Sequence, residues 1–109
     1  MKLEVGMYVR TNDGYINKIK KVNQFNVLVY GRDLFGEELN IPNNEITKAS
    51  YNIIDILEVG DYVNGWKVLY WTDGTKIVDD GYATNLDKID IKSIVTHEQM
   101  EQMAYKVGD

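Results

Sequence analysis

Apolar and polar positions alternate over short stretches separated by strong turn signals, which is the pattern of β-strands. In the first half of the chain, Met7 to Thr11, Tyr15 to Val22, Asn26 to Tyr30 and Glu38 to Ile41 predict four strands, punctuated by Asn12-Asp13-Gly14 and Gly31. In the second half, strands are predicted over Tyr62-Val63, Trp66 to Thr72, Thr75 to Val78, Tyr82 to Thr84 and Asp90 to Val95. Asp73-Gly74 reads as a two-residue type I′ hairpin turn, because both central residues of that turn need positive φ, which Asp tolerates and Gly adopts freely. On the strand before it, Trp66, Val68 and Tyr70 face one way and Lys67, Leu69 and Trp71 the other. Aromatic rings then occupy both faces, so one face is expected to meet something other than water.

A repeat organises these strands. Leu3-Glu4-Val5-Gly6-Met7-Tyr8-Val9 and Leu57-Glu58-Val59-Gly60-Asp61-Tyr62-Val63 agree at six of seven positions. Each is followed by a glycine turn and an aromatic residue, Tyr15 or Trp66, and a weaker match aligns Glu45-Ile46-Thr47-Lys48 with Asp90-Ile91-Lys92-Ser93. Two copies of one β-rich unit are the economical reading, with residues 1–52 as the first and 53–109 as the second. Only two segments read as helical. Ser50 to Leu57 spaces Ile53, Ile54 and Leu57 for a single turn, with Ser50 or Asn52 available as its cap. Thr96-His97-Glu98-Gln99 fits a capping box opening a helical turn near 97–103, after which Ala104 to Val107 would close as a strand.

Val59-Gly60-Asp61-Tyr62-Val63, followed by a glycine-led strand and further strands at short spacing, resembles small SH3-like barrels of the KOW and Tudor kind. That resemblance implies a mainly β fold of two tandem SH3-like barrel units with short helical turns. Ile46 to Ser50, Asn52 to Asp55, Val59 to Gly65 and Ile91 to Glu101 are also similar to segments of small proteins from phages and prophages of Firmicutes. This second resemblance implies a mobile-element origin. Proteins of this size from such elements include inhibitors of host defence, anti-CRISPR proteins among them.

Composition narrows the function classes. A chain of 109 residues can bury roughly 60–70% of the surface it exposes when unfolded, enough for a domain with little surplus stability. It has no cysteine, which excludes a disulfide framework or thiolate metal site, and no apolar run long enough to span a bilayer, so a cytoplasmic location is expected. The net charge of −5 is unevenly placed. Met1 to Ile54 carries seven Lys/Arg against six Asp/Glu, or +1, and Asp55 to Asp109 carries five against eleven, or −6. An acidic second half weighs against binding to a phosphate backbone and favours a basic protein partner.

The candidate chemistry is sparse. His97 is the only histidine, Ser50 and Ser93 are the only serines, and the nine glycines form no phosphate-cradling motif, so no catalytic residue, cofactor or metal ligand is assigned. His97 is expected on the surface within its capping turn, and Asp79-Asp80-Gly81 as a turn. The positive signal is the set of eight tyrosines, two tryptophans and two phenylalanines, residue types enriched at binding hot spots. The expected partner-binding surface is Trp66, Tyr70 and Trp71 beside Asp73, Asp79, Asp80 and Asp87. Together with the resemblance to mobile-element proteins, it implies a non-catalytic inhibitor expected to bind a basic host protein, with an RNA-guided CRISPR nuclease as the leading example. Two alternatives stay open: a nucleic-acid module using Arg10, Lys18, Lys20 and Lys21 with Tyr15 or Phe25 as stacking platforms, and a structural or assembly protein of a virion.

Overall fold

A computed structural model describes residues 2–31 and 38–103. The chain forms two compact units, Met1–Ile56 and Leu57–Asp109. The first contains β1 (Tyr8–Thr11), β2 (Ile16–Val22), β3 (Asn26–Tyr30), β4 (Glu38–Pro42) and β5 (Ile46–Ser50). The second contains β6 (Tyr62–Val63), β7 (Trp66–Tyr70), β8 (Lys76–Val78), β9 (Thr84–Asn85), β10 (Ile94–Val95) and α1 (His97–Met103). The fold is mainly β. Among the described residues no helix is long and apolar enough to cross a membrane. The closing strand expected over Ala104 to Val107 lies outside the described residues.

Each unit is a five-stranded antiparallel sheet with the same connectivity. Four strands follow one another as a meander, a 3-10 turn follows, and the fifth strand returns to pair with the first, giving β4-β3-β2-β1-β5 and β9-β8-β7-β6-β10. These are open sheets. The closed barrels expected from sequence do not form, and β9 and β10, at two residues each, are too short to supply a closing ladder.

Both heptapeptides do the same structural work. Gly6 and Gly60 take φ of +92° and +94°. Their amides donate to Ile19 and Val68 carbonyls, at 3.0 and 3.1 Å. The next residues, Met7 and Asp61, donate to the carbonyls of Glu4 and Glu58. Such tight turns need positive φ, which explains the invariant glycine between the copies. Tyr8 then pairs with Ser50, and Tyr62 with Val95, so the weak alignment of Glu45 with Asp90 also holds in register.

Strand alternation fills the first core. Val9, Ile19, Val27, Val29, Ile41 and Ile46 form one buried cluster, against which Leu3, Met7 and Ala49 pack, while Lys18 and Lys20 point outward. In the second unit Leu57, Val63, Val68, Ile77, Val78 and Leu86 are buried. The division after Ile56 lies beyond the 52/53 boundary expected from sequence, and Arg10 accounts for it. The Arg10 side chain is fully buried and its Nη1 donates to the Ile56 carbonyl at 3.0 Å, fastening the 3-10 turn Ile53–Ile56 to the first unit. Asn52 Oδ1 caps that turn by accepting the Ile54 amide.

Three local expectations are revised. Asp73-Gly74 is part of a three-residue loop: Trp71 N–H donates to the Thr75 carbonyl, Gly74 N–H to that of Trp71, and within the loop only Gly74 has positive φ. The two-residue turn with positive φ at both positions is Asn64-Gly65, at +52° and +86°. Asp90 to Ser93 do not join the last strand, because Asn64 captures their backbone groups: its Oδ1 accepts the amides of Lys92 and Ser93 and its Nδ2 donates to the Asp90 carbonyl. Conversely β5 was not expected as a strand, although Ile46 to Ser50 pairs along β1.

Candidate functional site

The residues expected to bind a partner fall at two ends of one hairpin. Val68, at the centre of β7, is fully buried, so Trp66 and Tyr70 share its face and lie at the margins of the core, 41% and 48% exposed. Trp71 follows the opposite parity, with Leu69, and is 50% exposed. Its own hydrogen bonds place it at the loop that carries Asp73. Tyr70 lies opposite Lys76, whose Nζ sits 6.0 Å from the ring centroid. Tyr70, Trp71 and Asp73 therefore lie at one end of the hairpin, with the two rings on opposite parities. Trp66, Asp79 and Asp80 belong to the other end of β8, about 10 Å away along three residues of strand, where the Asp79 amide donates to the Lys67 carbonyl. Asp87 is exposed on the 3-10 turn Leu86–Lys88.

The aspartates differ in what holds them. Asp80 Oδ2 accepts the Thr84 hydroxyl at 2.6 Å and its Oδ1 accepts the amides of Tyr82 and Thr84. These bonds, the Thr84 hydroxyl first, hold the Asp80 carboxyl below its ordinary value of 3.8. Asp73 is lowered too, chiefly by the Thr75 amide, which donates to its Oδ1 at 3.0 Å. Both carboxylates stabilise turns as well as adding charge. The loop that Asp80 organises carries Tyr82, which is 88% exposed and is the most exposed large ring among the described residues.

The first unit presents a different surface. A cavity of about 270 Å³ is lined by Tyr8, Ile16, Asn17, Lys18, Tyr30 and Ile53. Lys18 and Lys20 each lie 5.7 Å from a ring centroid, those of Tyr8 and Tyr30. Lys20 also pairs with Glu38, which raises its pKa through that hydrogen bond and charge. Phe25 and Tyr15 are exposed, but Arg10 is buried and cannot reach a phosphate. That removes one cation from the set expected for nucleic-acid binding.

A cluster that the sequence did not reveal lies where α1 meets the second heptapeptide. His97 is half-buried, against the expectation of an exposed histidine, and its Nε2 lies 2.8 Å from Glu58 Oε1 and 2.9 Å from Glu98 Oε1. The predicted capping box is present: Gln99 Oε1 accepts the Thr96 amide and Thr96 Oγ1 accepts the Gln99 amide, which sets the start of α1. Asp61, fully buried, then joins both segments. Its Oδ2 accepts the Glu58 amide at 2.7 Å and its Oδ1 the His97 amide at 2.9 Å. In the first unit Met7 stands at the position of Asp61, and its Sδ accepts the Glu4 amide at 3.3 Å. There the Tyr51 hydroxyl donates to Glu4 Oε2 at 2.7 Å, which raises the Tyr51 pKa. The single mismatch in the repeat was thus the available signal for this cluster. No known protein family, curated protein or solved structure matches the chain.

Proposed function

We propose that the chain is a non-catalytic binding protein whose second unit docks on a basic protein through its exposed rings. The observation that carries this reading is the exposure of Trp66, Tyr70, Trp71 and Tyr82 in the half of the chain that bears a net −6. Large rings left in water beside carboxylates suit an interface in which rings anchor and charge steers. Trp71 and Tyr70 at the hairpin loop are the anchors, with Asp73 beside them. Asp79, Asp80 and Asp87 supply the acidic field. The shared strand order, with a 3-10 turn before the last strand, supports reading both units as open relatives of the SH3-like architecture. That architecture hosts many functions and chooses none of them.

A phage-encoded inhibitor of a host defence effector, such as an RNA-guided CRISPR nuclease, is the setting that fits such a surface. Nucleases of this class hold nucleic acid in basic channels, and an acidic aromatic face is complementary to one. The test is cleavage of a plasmid target by a panel of purified RNA-guided nucleases with the chain in excess. Inhibition that Trp71→Ala relieves supports the proposal, and unimpaired cleavage by every nuclease counts against that target class. The cavity between Tyr8, Tyr30 and Lys18 favours the second reading, a nucleic-acid module in the first unit. Binding of single-stranded oligonucleotides that Lys18→Ala abolishes would select it.

A further inference from the structure

The cluster around His97 brings two carboxylates to one imidazole nitrogen. Oxygens of Glu58 and Glu98 lie at nearly equal distances from Nε2, 2.8 and 2.9 Å. The equivalent glutamate of the first unit, Glu4, meets one hydroxyl hydrogen from Tyr51, a simple pair. We propose that Glu58, His97 and Glu98 bind one divalent transition-metal ion of the zinc class, which ties α1 to the second heptapeptide.

Geometry, chemistry and support agree. One nitrogen and two carboxylate oxygens lie within 4.8 Å of one another. Donors bound at about 2.0–2.2 Å, with bond angles between octahedral and tetrahedral, sit about 2.8–3.6 Å apart, so the two short edges here need to open by at most several tenths of an ångström. An imidazole with carboxylates suits Zn²⁺ better than Mg²⁺ or Ca²⁺, which take oxygen ligands. The side chains of His97, Glu58 and Glu98 remain 35%, 29% and 19% exposed, which leaves the ion a path from solvent. Asp61 holds the backbone of both ligand-bearing segments from a buried position, so the donors are ordered before the ion arrives. The site shares no residue with the proposed partner-binding face.

Equilibrium dialysis tests it directly. Tag-free, chelator-stripped chain is dialysed against micromolar zinc chloride in millimolar magnesium, and bound metal is counted by mass spectrometry. One zinc per chain is expected, together with a rise in the thermal midpoint read from tryptophan fluorescence. Glu98→Gln and His97→Gln should each weaken binding by at least about tenfold, the lower end of the loss seen even for outer-shell partners. Glu4→Gln, in the first unit, should leave it unchanged. Should His97→Gln unfold the chain, Glu98→Gln alone decides. Failure to bind zinc, displacement by magnesium, or undiminished binding by the Glu98 variant overturns the site.

Discussion

Replacing Asp61 by Asn isolates the contact that distinguishes the two copies of the repeat. The carboxylate is fully buried and receives two backbone N–H groups, those of Glu58 and His97, at 2.7 and 2.9 Å. Hydrogen bonds to a charged group contribute about 1.5–3 kcal/mol each. An Asn carbonyl retains one, but the amide nitrogen then opposes the second N–H, donor against donor. The burial cost of the charge is relieved at the same time, so the net loss is about 2–4 kcal/mol. Asp61→Met copies the first unit, where Met7 Sδ takes only the Glu4 amide, and should cost a similar amount because the His97 amide loses its acceptor. Urea unfolding in the presence of a chelator, followed by tryptophan fluorescence, reads this out cleanly, since both tryptophans lie in the second unit. Unfolding free energies for both variants within about 0.5 kcal/mol of wild type, the range of an ordinary surface change, would refute the reasoning.

Three further outcomes follow from the same contacts. Arg10→Met removes the buried donor to the Ile56 carbonyl and should cost the first unit about 1–3 kcal/mol, with faster amide exchange over Ile53 to Ile56 as the specific sign. Gly60→Ala forces a side chain to φ near +94°; its Cβ would meet His97 Cβ at an ordinary 3.5 Å, so the loss of about 1–2 kcal/mol comes from the backbone and should appear in urea midpoints. Asp80 has a folded pKa below 3.8 and therefore below its unfolded value. Its stabilisation is complete above the unfolded value and is lost as pH falls through the folded one. An NMR titration should find the carboxyl below 3.8, and Asp80→Asn should remove that share of the acid sensitivity.

The strands and turns were legible wherever local chemistry decided them. Among the described residues, alternation located nine of the ten strands to within a few residues, glycines marked the loops, and Thr96 with Gln99 marked the start of α1. The misses arose where a distant group intervened. Asn64 takes the backbone partners of Lys92 and Ser93 from across the sheet, which no window around those residues records. Arg10 carries the end of the first unit out to Ile56, a contact between residues far apart in sequence. In the second unit the open sheet in place of a barrel reflects the two-residue lengths of β9 and β10. On the candidate surface, alternation already set Trp71 on the face opposite Trp66, but it did not show that Asp73 and Asp79 stand at opposite ends of β8. His97 looked like a surface residue because its partner Glu58 lies 39 positions away.

The central claim, that the acidic second unit carries the protein-binding face, is tested most directly by titrating folded variants against an RNA-guided nuclease of the proposed partner class, using biolayer interferometry. Circular dichroism first establishes that each variant retains the fold. Trp71→Ala should weaken binding by about 2 kcal/mol, the threshold of a hot spot, equivalent to roughly thirtyfold in Kd. Asp79→Asn with Asp87→Asn should chiefly slow association and flatten its salt dependence. Lys18→Ala with Lys21→Ala, in the first unit, should bind as wild type. Normal binding by all the second-unit variants, with loss of binding in the lysine variant, would contradict the claim and place the face on the first unit.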